Sequence, residues 1–166
     1  MVVIGSRVSN TPVDQVDRMF PASQLEAMLP LADVVVMVAP HTPSTEQLFG
    51  QSAFAAMKEG AFFINIGRGA SVDEAALLEA LVSGKLAGAA LDVFAKEPLP
   101  VDSPFWDMPQ VMVSPHSAST SDKENQRITD LFCDNLRRYL NQEPLRNVLD
   151  VERLAARKIH RGIGPC

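Results

Sequence analysis

Four side chains in the sequence are suited to binding an anion and moving a proton: Arg68, Asp92, Glu97 and His116. An arginine can bind a carboxylate through two parallel hydrogen bonds. A histidine donates or accepts a proton near neutral pH, and a neighbouring carboxylate can orient it and favour its protonated form. Together these residue types could hold a carboxylate substrate and protonate it.

Each of the four also has an ordinary structural explanation. A lone arginine is usually a surface residue, although the glycines on both sides of Arg68 argue against that here. Asp92 could cap a turn, and Glu97 before a proline could be a solvated loop residue. A histidine after a proline, such as His116, is more often structural than catalytic. The chemical interpretation therefore depends on whether the fold brings the four together.

The elements that must position these side chains alternate between strands and helices. Apolar runs of strand length occur at residues 2–4, 34–38, 61–66, 87–91 and 111–113. Alternation with helical patterns predicts a parallel α/β sheet, and continuous apolar runs predict strands buried on both faces. The carboxyl ends of parallel strands meet at one edge, where ligands bind. We therefore expect the four side chains to converge there.

Two helix starts are suggested by the spacing of polar residues. Ser71 and Glu74 have the spacing of a capping box, and Ser121 and Glu124 form a second possible one. The first predicted helix ends at Gly84, a suitable residue for the position after a helix.

Composition excludes several classes of function. The chain has 166 residues, of which 46% are hydrophobic and 21% charged, as expected for one globular domain. Its net charge of -5 argues against general binding of nucleic acid or of anionic membranes. No apolar run approaches the roughly 20 residues that span a bilayer. Its two cysteines form no disulfide framework, so we expect a cytoplasmic protein, and no Cys/His spacing suggests a metal site.

Several motifs carry a family likeness. The segments "NIGRG", "GAALDVFAKEPLP" and "VMVSPHSAS" resemble the cofactor-domain motifs of the D-isomer-specific 2-hydroxyacid dehydrogenases, in family order. "VVMVAPHTPSTEQLFG" resembles the segment ahead of that family's catalytic arginine, and the likeness covers about residues 2–151. The resemblance implies a Rossmann-like, doubly wound parallel sheet, and a homodimer formed through the cofactor domain. It also implies reduction of a small 2-oxo acid to a D-2-hydroxy acid with NAD(P)H, with glyoxylate or hydroxypyruvate as plausible substrates.

The resemblance also assigns roles to individual residues. Arg68 would anchor the substrate carboxylate, His116 would protonate the carbonyl oxygen, and Glu97 would keep His116 protonated. Asp92 would lie near the nicotinamide carboxamide. The residues expected along the cofactor path are Pro40, Thr42, Ile66, Gly67, Arg68, Asp92, His116 and Ser119.

The choice between the two nicotinamide cofactors depends on Ser6 and Arg7. Many NAD-specific relatives place an acidic residue after the first strand of this chain, where it binds the ribose hydroxyls. Here the stretch reads Gly5-Ser6-Arg7, with no acid. A serine and an arginine can bind a 2′-phosphate that an acidic residue would repel, so we expect NADP(H) to be favoured over NAD(H).

One part of the family pattern is missing. The sequence contains no G-x-G-x-x-G loop, which supplies the backbone donors for the pyrophosphate. We therefore expect an incomplete Rossmann domain at residues 1–151, in which about 120–151 return toward an absent substrate domain, and a basic tail at 152–166. The absent strand would separate strands near Val3 and Val36 from those near Phe63, Ala89 and Met112. Unpaired apolar edges favour aggregation, so we expect poor stability and no appreciable activity from the chain alone.

Two other interpretations remain open at this stage. The domain could be a non-catalytic dinucleotide-sensing or interaction module, as in corepressors that resemble the family. It could also be an inactive truncated fragment. The presence of Arg68, Glu97 and His116 together favours the enzyme, because a pure sensor needs no proton donor.

Overall fold

A computed structural model describes residues 1–7 and 12–149 of the chain. The strands in these ranges are β1 Ile4–Arg7, β2 Arg18–Pro21, β3 Val34–Met37, β4 Ala61–Asn65, β5 Leu86–Leu91 and β6 Val111–Val113. The α-helices are α1 Leu25–Met28, α2 Gln51–Ala56, α3 Glu74–Val82 and α4 Glu124–Leu140. Short 3-10 turns occur at Ala22–Gln24, Leu29–Leu31, Gly69–Ser71 and Pro104–Asp107.

The chain divides into two compact units. The first, Met1–His116, contains β1 to β6 and α1 to α3, and the second begins at Ser117 and contains α4. Assignment of residues 1–151 to one cofactor domain stays a prediction. The basic tail predicted at 152–166 lies outside the described residues.

All strand pairs are parallel, which confirms the predicted α/β class. One sheet has the order β3-β4-β5-β6, and β1 pairs with β2 in a second sheet. The prediction that the Val36 strand lies with the Val3 strand was wrong, because Val36 pairs with Ile64 of β4. Strand β2 was not predicted at all: it has only four residues and includes an arginine and a proline.

One face of the four-stranded sheet forms the core. Phe63 of β4 packs against Phe49 and Phe54, with ring centroids 4.9 and 5.2 Å away, and is fully buried. Leu77 and Leu81 of α3 belong to the same buried cluster. Aromatic rings at these separations are attracted beyond the benefit of area burial, so this cluster fixes α2 and α3 against the sheet.

The opposite face of the sheet is uncovered within the first unit, Met1–His116. Val34, Val36, Phe62 and Met112 are each about half exposed or more, and residues of this face line a shallow apolar groove of about 680 Å³. Within this unit the strands are buried on one face only, whereas the sequence predicted burial on both faces. The alternation of exposed and buried side chains along β3 follows from the period of two in a strand.

Helix α3 begins differently from the prediction. Asp73 caps it, since its Oδ1 accepts from the backbone N–H groups of Ala75 and Ala76 at 3.0 and 3.2 Å. Ser71 lies in the preceding 3-10 turn, and its buried hydroxyl has no hydrogen-bond partner. The capping box was wrong because this turn places the helix start two residues later. Gly84 adopts φ +78, which confirms the predicted glycine stop.

Helix α4 also begins without the predicted side-chain cap, since Lys123 occupies that position. None of the helices in the described ranges is both long and apolar enough to cross a membrane.

Candidate active site

The turn after β4 holds Arg68 through a buried asparagine. Asn65 is 1% exposed, its Oδ1 accepts from the Gly67 N–H at 3.1 Å, and its Nδ2 donates to the Arg68 carbonyl at 3.3 Å. Both ends of the amide are used, so Asn65 fixes the backbone on either side of Arg68. The sequence analysis did not select Asn65, although a polar residue ending an apolar run was a usable signal.

The glycines beside Arg68 serve close backbone contacts. A Cβ on Gly67 would lie 2.9 Å from the carbonyl oxygen of Ala39, and one on Gly69 would lie 1.8 Å from the carbonyl carbon of Phe94. Neither glycine has a positive φ. Their role is to bring the loops after β3 and β5 against the segment that carries Arg68.

Glu97 and His116 form a hydrogen-bonded pair. His116 Nδ1 lies 2.8 Å from Glu97 Oε2, and the backbone N–H of Phe94 donates to Glu97 Oε1 at 3.0 Å. His116 has a left-handed backbone, with φ 55. With both carboxylate oxygens engaged, the Glu97 side chain has one orientation and presents a fixed acceptor to the imidazole.

The charges around Glu97 favour its ionised form. The hydrogen bond from His116, followed by the one from the Phe94 N–H, lowers the pKa of Glu97 below 4.5, and the charge of Arg68 acts in the same direction. Partial desolvation opposes them without reversing the shift. The charge of Arg68 therefore reaches Glu97, although the two residues are far apart in sequence.

Asp92 lies at the end of the neighbouring strand β5 and is 5% exposed. Its backbone N–H donates to the Asn65 carbonyl at 3.0 Å, and its Oδ1 accepts from the Ser114 hydroxyl at 2.6 Å. Ser114 follows β6, two positions before His116. These bonds tie the ends of β4, β5 and β6 together at the edge where the sequence predicted convergence.

The predicted cofactor-path residues after β3 form a compact loop. Thr45 Oγ1 donates to the Pro40 carbonyl at 2.8 Å and accepts from the Thr42 N–H at 2.8 Å. Ile66 is 42% exposed, and its N–H donates to the Met37 carbonyl at 3.1 Å. The loop is thus held by Thr45, a residue that the sequence analysis did not select.

Ser6 and Arg7 are the last two residues of β1, both are exposed, and they do not follow the strand as expected. The predicted strand was placed too early because its apolar run ends before the observed strand does. Ser119 lies in the second unit. The binding roles of Ser6, Arg7 and Ser119 stay predictions.

A dinucleotide fits one end of this site better than the other. At the end predicted for the nicotinamide, Asp92 is buried, and its N–H donates to Asn65, whose side chain also holds the Gly67 N–H. No helix in the described ranges begins with a glycine-rich loop that could hold the pyrophosphate. No group of three or more His, Cys, Asp or Glu side chains in the same ranges could hold a metal ion.

Comparison with known proteins places the chain among dehydrogenases. Residues 1–118 match the model of the "D-isomer specific 2-hydroxyacid dehydrogenase, NAD binding domain". Glyoxylate/hydroxypyruvate reductase B of Pectobacterium carotovorum is 44% identical over 126 residues, which is 76% of this chain. The corresponding reductase of Citrobacter koseri is 46% identical over 68% of the chain. The chain spans 39% and 35% of the length of these two relatives.

Two crystal structures are similar over most of the chain. The NADPH-dependent glyoxylate/hydroxypyruvate reductase of Sinorhizobium meliloti, in complex with NADP and sulfate, has a TM-score of 0.82 and 39% identity over 89% of this chain and 48% of its own. A D-isomer specific 2-hydroxyacid dehydrogenase of Xanthobacter autotrophicus Py2, in complex with NADPH and MES, has a TM-score of 0.81 and 39% identity. It is matched over 92% of this chain and 62% of its own.

Proposed function

This chain belongs to the D-isomer specific 2-hydroxyacid dehydrogenase family, since its residues 1–118 match the NAD-binding domain of that family. We propose that it supplies the acid–base site of a 2-oxo acid reductase. The observation that carries the proposal is the 2.8 Å contact between His116 Nδ1 and Glu97 Oε2. The positive charge of Arg68 also favours the ionised form of Glu97. The product would be a D-2-hydroxy acid, and glyoxylate or hydroxypyruvate the substrate. The names of the reductase relatives support this choice.

The bound nicotinamide cofactor supplies the hydride in this reaction. Arg68 binds the substrate carboxylate with its planar guanidinium and orients the adjacent carbonyl. His116 uses Nδ1 to contact Glu97, so Nε2 is the nitrogen that faces the substrate and gives its proton to the carbonyl oxygen. Glu97, ionised through its lowered pKa, stabilises the imidazolium that donates this proton.

The cofactor proposed is NADP(H), held at its ribose end by Ser6 and Arg7. An arginine near a serine can bind a 2′-phosphate through charge-assisted hydrogen bonds. The NADP and NADPH complexes of two similar structures support it. We also propose a cytoplasmic homodimer, with residues 1–151 as the cofactor domain.

A hybrid enzyme tests the reaction directly. This chain would replace the matching C-terminal segment of the Pectobacterium reductase, and NADPH oxidation would be followed with glyoxylate. We expect turnover, a loss of at least about 100-fold for His116→Gln, and a large rise in KM for Arg68→Lys. Arg127→Gln, an exposed arginine of α4, serves as the matched control and should change neither constant.

Two outcomes would separate the alternatives. A hybrid that binds NADPH but reduces no member of a panel of 2-oxo acids would support a dinucleotide-sensing module in place of an enzyme. For the cofactor, Arg7→Ala should raise the KM for NADPH much more than the KM for NADH. Equal effects on the two cofactors would refute the assignment of Arg7.

A further inference from the structure

Glu74 connects the start of α3 to the loop that precedes Glu97. Its Oε1 accepts from the backbone N–H of Ala95 at 2.7 Å, across 21 positions of sequence. The next backbone N–H toward β5, that of Phe94, donates to Glu97 Oε1. Two successive peptide groups of one loop are thus held by two glutamates, one on α3 and one in the acid–base pair.

The position of Glu74 is itself fixed. Asp73 caps α3 with its carboxylate, and its N–H donates to the Phe49 carbonyl at 3.0 Å. Phe49 and Val72 form a parallel bridge just before the helix. Glu74 therefore presents its carboxylate from a rigid helix start.

A second contact restrains the same two loop residues from the Arg68 side. The missing side chain of Gly69 lets the chain lie against the backbone of Phe94 and Ala95, where a Cβ would be 2.4 Å or less from their atoms. Val93 and Phe94 are buried. The loop is held between Gly69 and Glu74 immediately before Glu97.

We propose that Glu74 is a positioning residue for the Glu97–His116 pair, because it holds the Ala95 peptide and so aims the Phe94 N–H at the Glu97 carboxylate. The catalytic meaning of this role rests on the proposed function. The positioning itself is a property of the chain and can be measured without turnover.

A purely helical role for Glu74 is the competing explanation. An acidic residue in the first turn of a helix is stabilised by the positive end of the helix dipole. That role needs the charge near the helix start and no contact with Ala95. Positioning needs an acceptor oxygen at the Ala95 N–H and no charge.

Two conservative variants of the 166-residue chain separate these roles. Glu74→Gln removes the charge and keeps an acceptor oxygen of the same reach, whereas Glu74→Asp keeps the charge and withdraws the oxygen by one methylene. Glu79→Asp is the matched control, since Glu79 also lies on α3 and accepts a side-chain hydrogen bond, from Gln51 at 3.2 Å. Amide hydrogen exchange and carbon NMR titration of the Glu97 carboxyl are the readouts.

Positioning predicts that Glu74→Asp speeds exchange of both the Ala95 and the Phe94 amides about 10-fold, the effect of losing one ordinary hydrogen bond. The pKa of Glu97 should rise toward its usual 4.5 in the same variant. Glu74→Gln and Glu79→Asp should leave both readouts at the wild-type values. The proposal is overturned if Glu74→Asp leaves the Phe94 amide and the Glu97 titration unchanged, or if Glu74→Gln is the more perturbed variant. An inactive hybrid enzyme would refute the proposed reaction and leave these readouts unaffected.

Discussion

Replacing Gly69 by alanine should separate the two segments that carry Arg68 and Glu97. The added Cβ would lie 1.8 Å from the Phe94 carbonyl carbon, 2.0 Å from its oxygen and 2.4 Å from the Ala95 nitrogen. All three are backbone atoms, so no side-chain rotation relieves the overlap. The segments must move apart by roughly 1.5 Å to restore ordinary contact distances.

The cost follows from what this movement disrupts. Overpacking of this kind costs roughly 1–3 kcal/mol. The bonds from Ala95 to Glu74 and from Phe94 to Glu97 contribute about 1 kcal/mol each and weaken together. We therefore expect the free energy of unfolding to fall by about 3 kcal/mol.

Urea titration followed by Trp106 fluorescence measures this loss. Trp106 is the chain's one tryptophan and donates to the Pro100 carbonyl at 2.8 Å, in the segment after the affected loop. With a slope of about 2 kcal/mol per molar urea, the midpoint should fall by roughly 1.5 M.

Gly50→Ala is the matched control for the Gly69 variant. A Cβ there meets only the Gln47 carbonyl, at an ordinary 3.7 Å, so its stability should stay within about 1 kcal/mol of the wild type. If wild-type stability is below about 3 kcal/mol, the Gly69 variant should be unfolded in water while Gly50→Ala still folds. Equal midpoints for the two variants would refute the close-approach argument.

Three further predictions use other features of the described structure. Asp73→Ala should lower the free energy of unfolding in urea by about 1 kcal/mol, because Asp73 caps α3. Ser71→Ala should be neutral or stabilising, because the Ser71 hydroxyl is buried without a partner. The reverse order of the two effects would show that Ser71 caps the helix. Glu97 has a lowered pKa, so its ionised form stabilises the fold above pH 4.5, and this contribution is lost as pH falls through the lowered value. The urea midpoint of the wild type should therefore converge on that of Glu97→Gln as pH falls below 4.5 through the lowered pKa of Glu97, and a constant difference would contradict the His116 contact. Phe62→Gln should reduce binding of a hydrophobic dye and slow aggregation with little loss of stability, since Phe62 is 49% exposed. Unchanged dye binding would show that the open sheet face does not bind the dye.

The sequence was informative about the site where side chains able to bind an anion or move a proton follow the ends of strands. Arg68, Glu97 and His116 were predicted to converge because polar residues follow apolar runs, and the carboxyl ends of parallel strands share an edge. The contact of His116 with Glu97 and the electrostatic effect of Arg68 on Glu97 agree with that prediction. Their binding and catalytic roles remain predictions that need the hybrid enzyme.

The details that the sequence did not predict arise from long-range contacts. Glu74 belongs to the Ser71–Glu74 spacing noted in the sequence, but its partner, the Ala95 N–H, lies 21 positions away and no local pattern indicates it. Asn65 is the exception, because its side chain bonds within its own turn and its place at the end of an apolar run was a usable signal. The sequence shows glycines beside Arg68, but it does not show that Gly69 is required by its contact with the Phe94 and Ala95 backbone. The predicted pairing of β3 was wrong for the same reason, since the partner of a strand depends on packing and not on the residues of that strand alone.

The left-handed backbone of His116 limits which mutations the position can accept. At φ 55, glycine, asparagine and aspartate fit with little strain, whereas valine or isoleucine would be strongly disfavoured whatever the reaction requires. In a relative without the proposed proton transfer, substitutions at this position should be limited to these compatible residues. Inactive descendants of this fold should therefore be recognisable by asparagine, aspartate or glycine after the Ser114-Pro115 dipeptide.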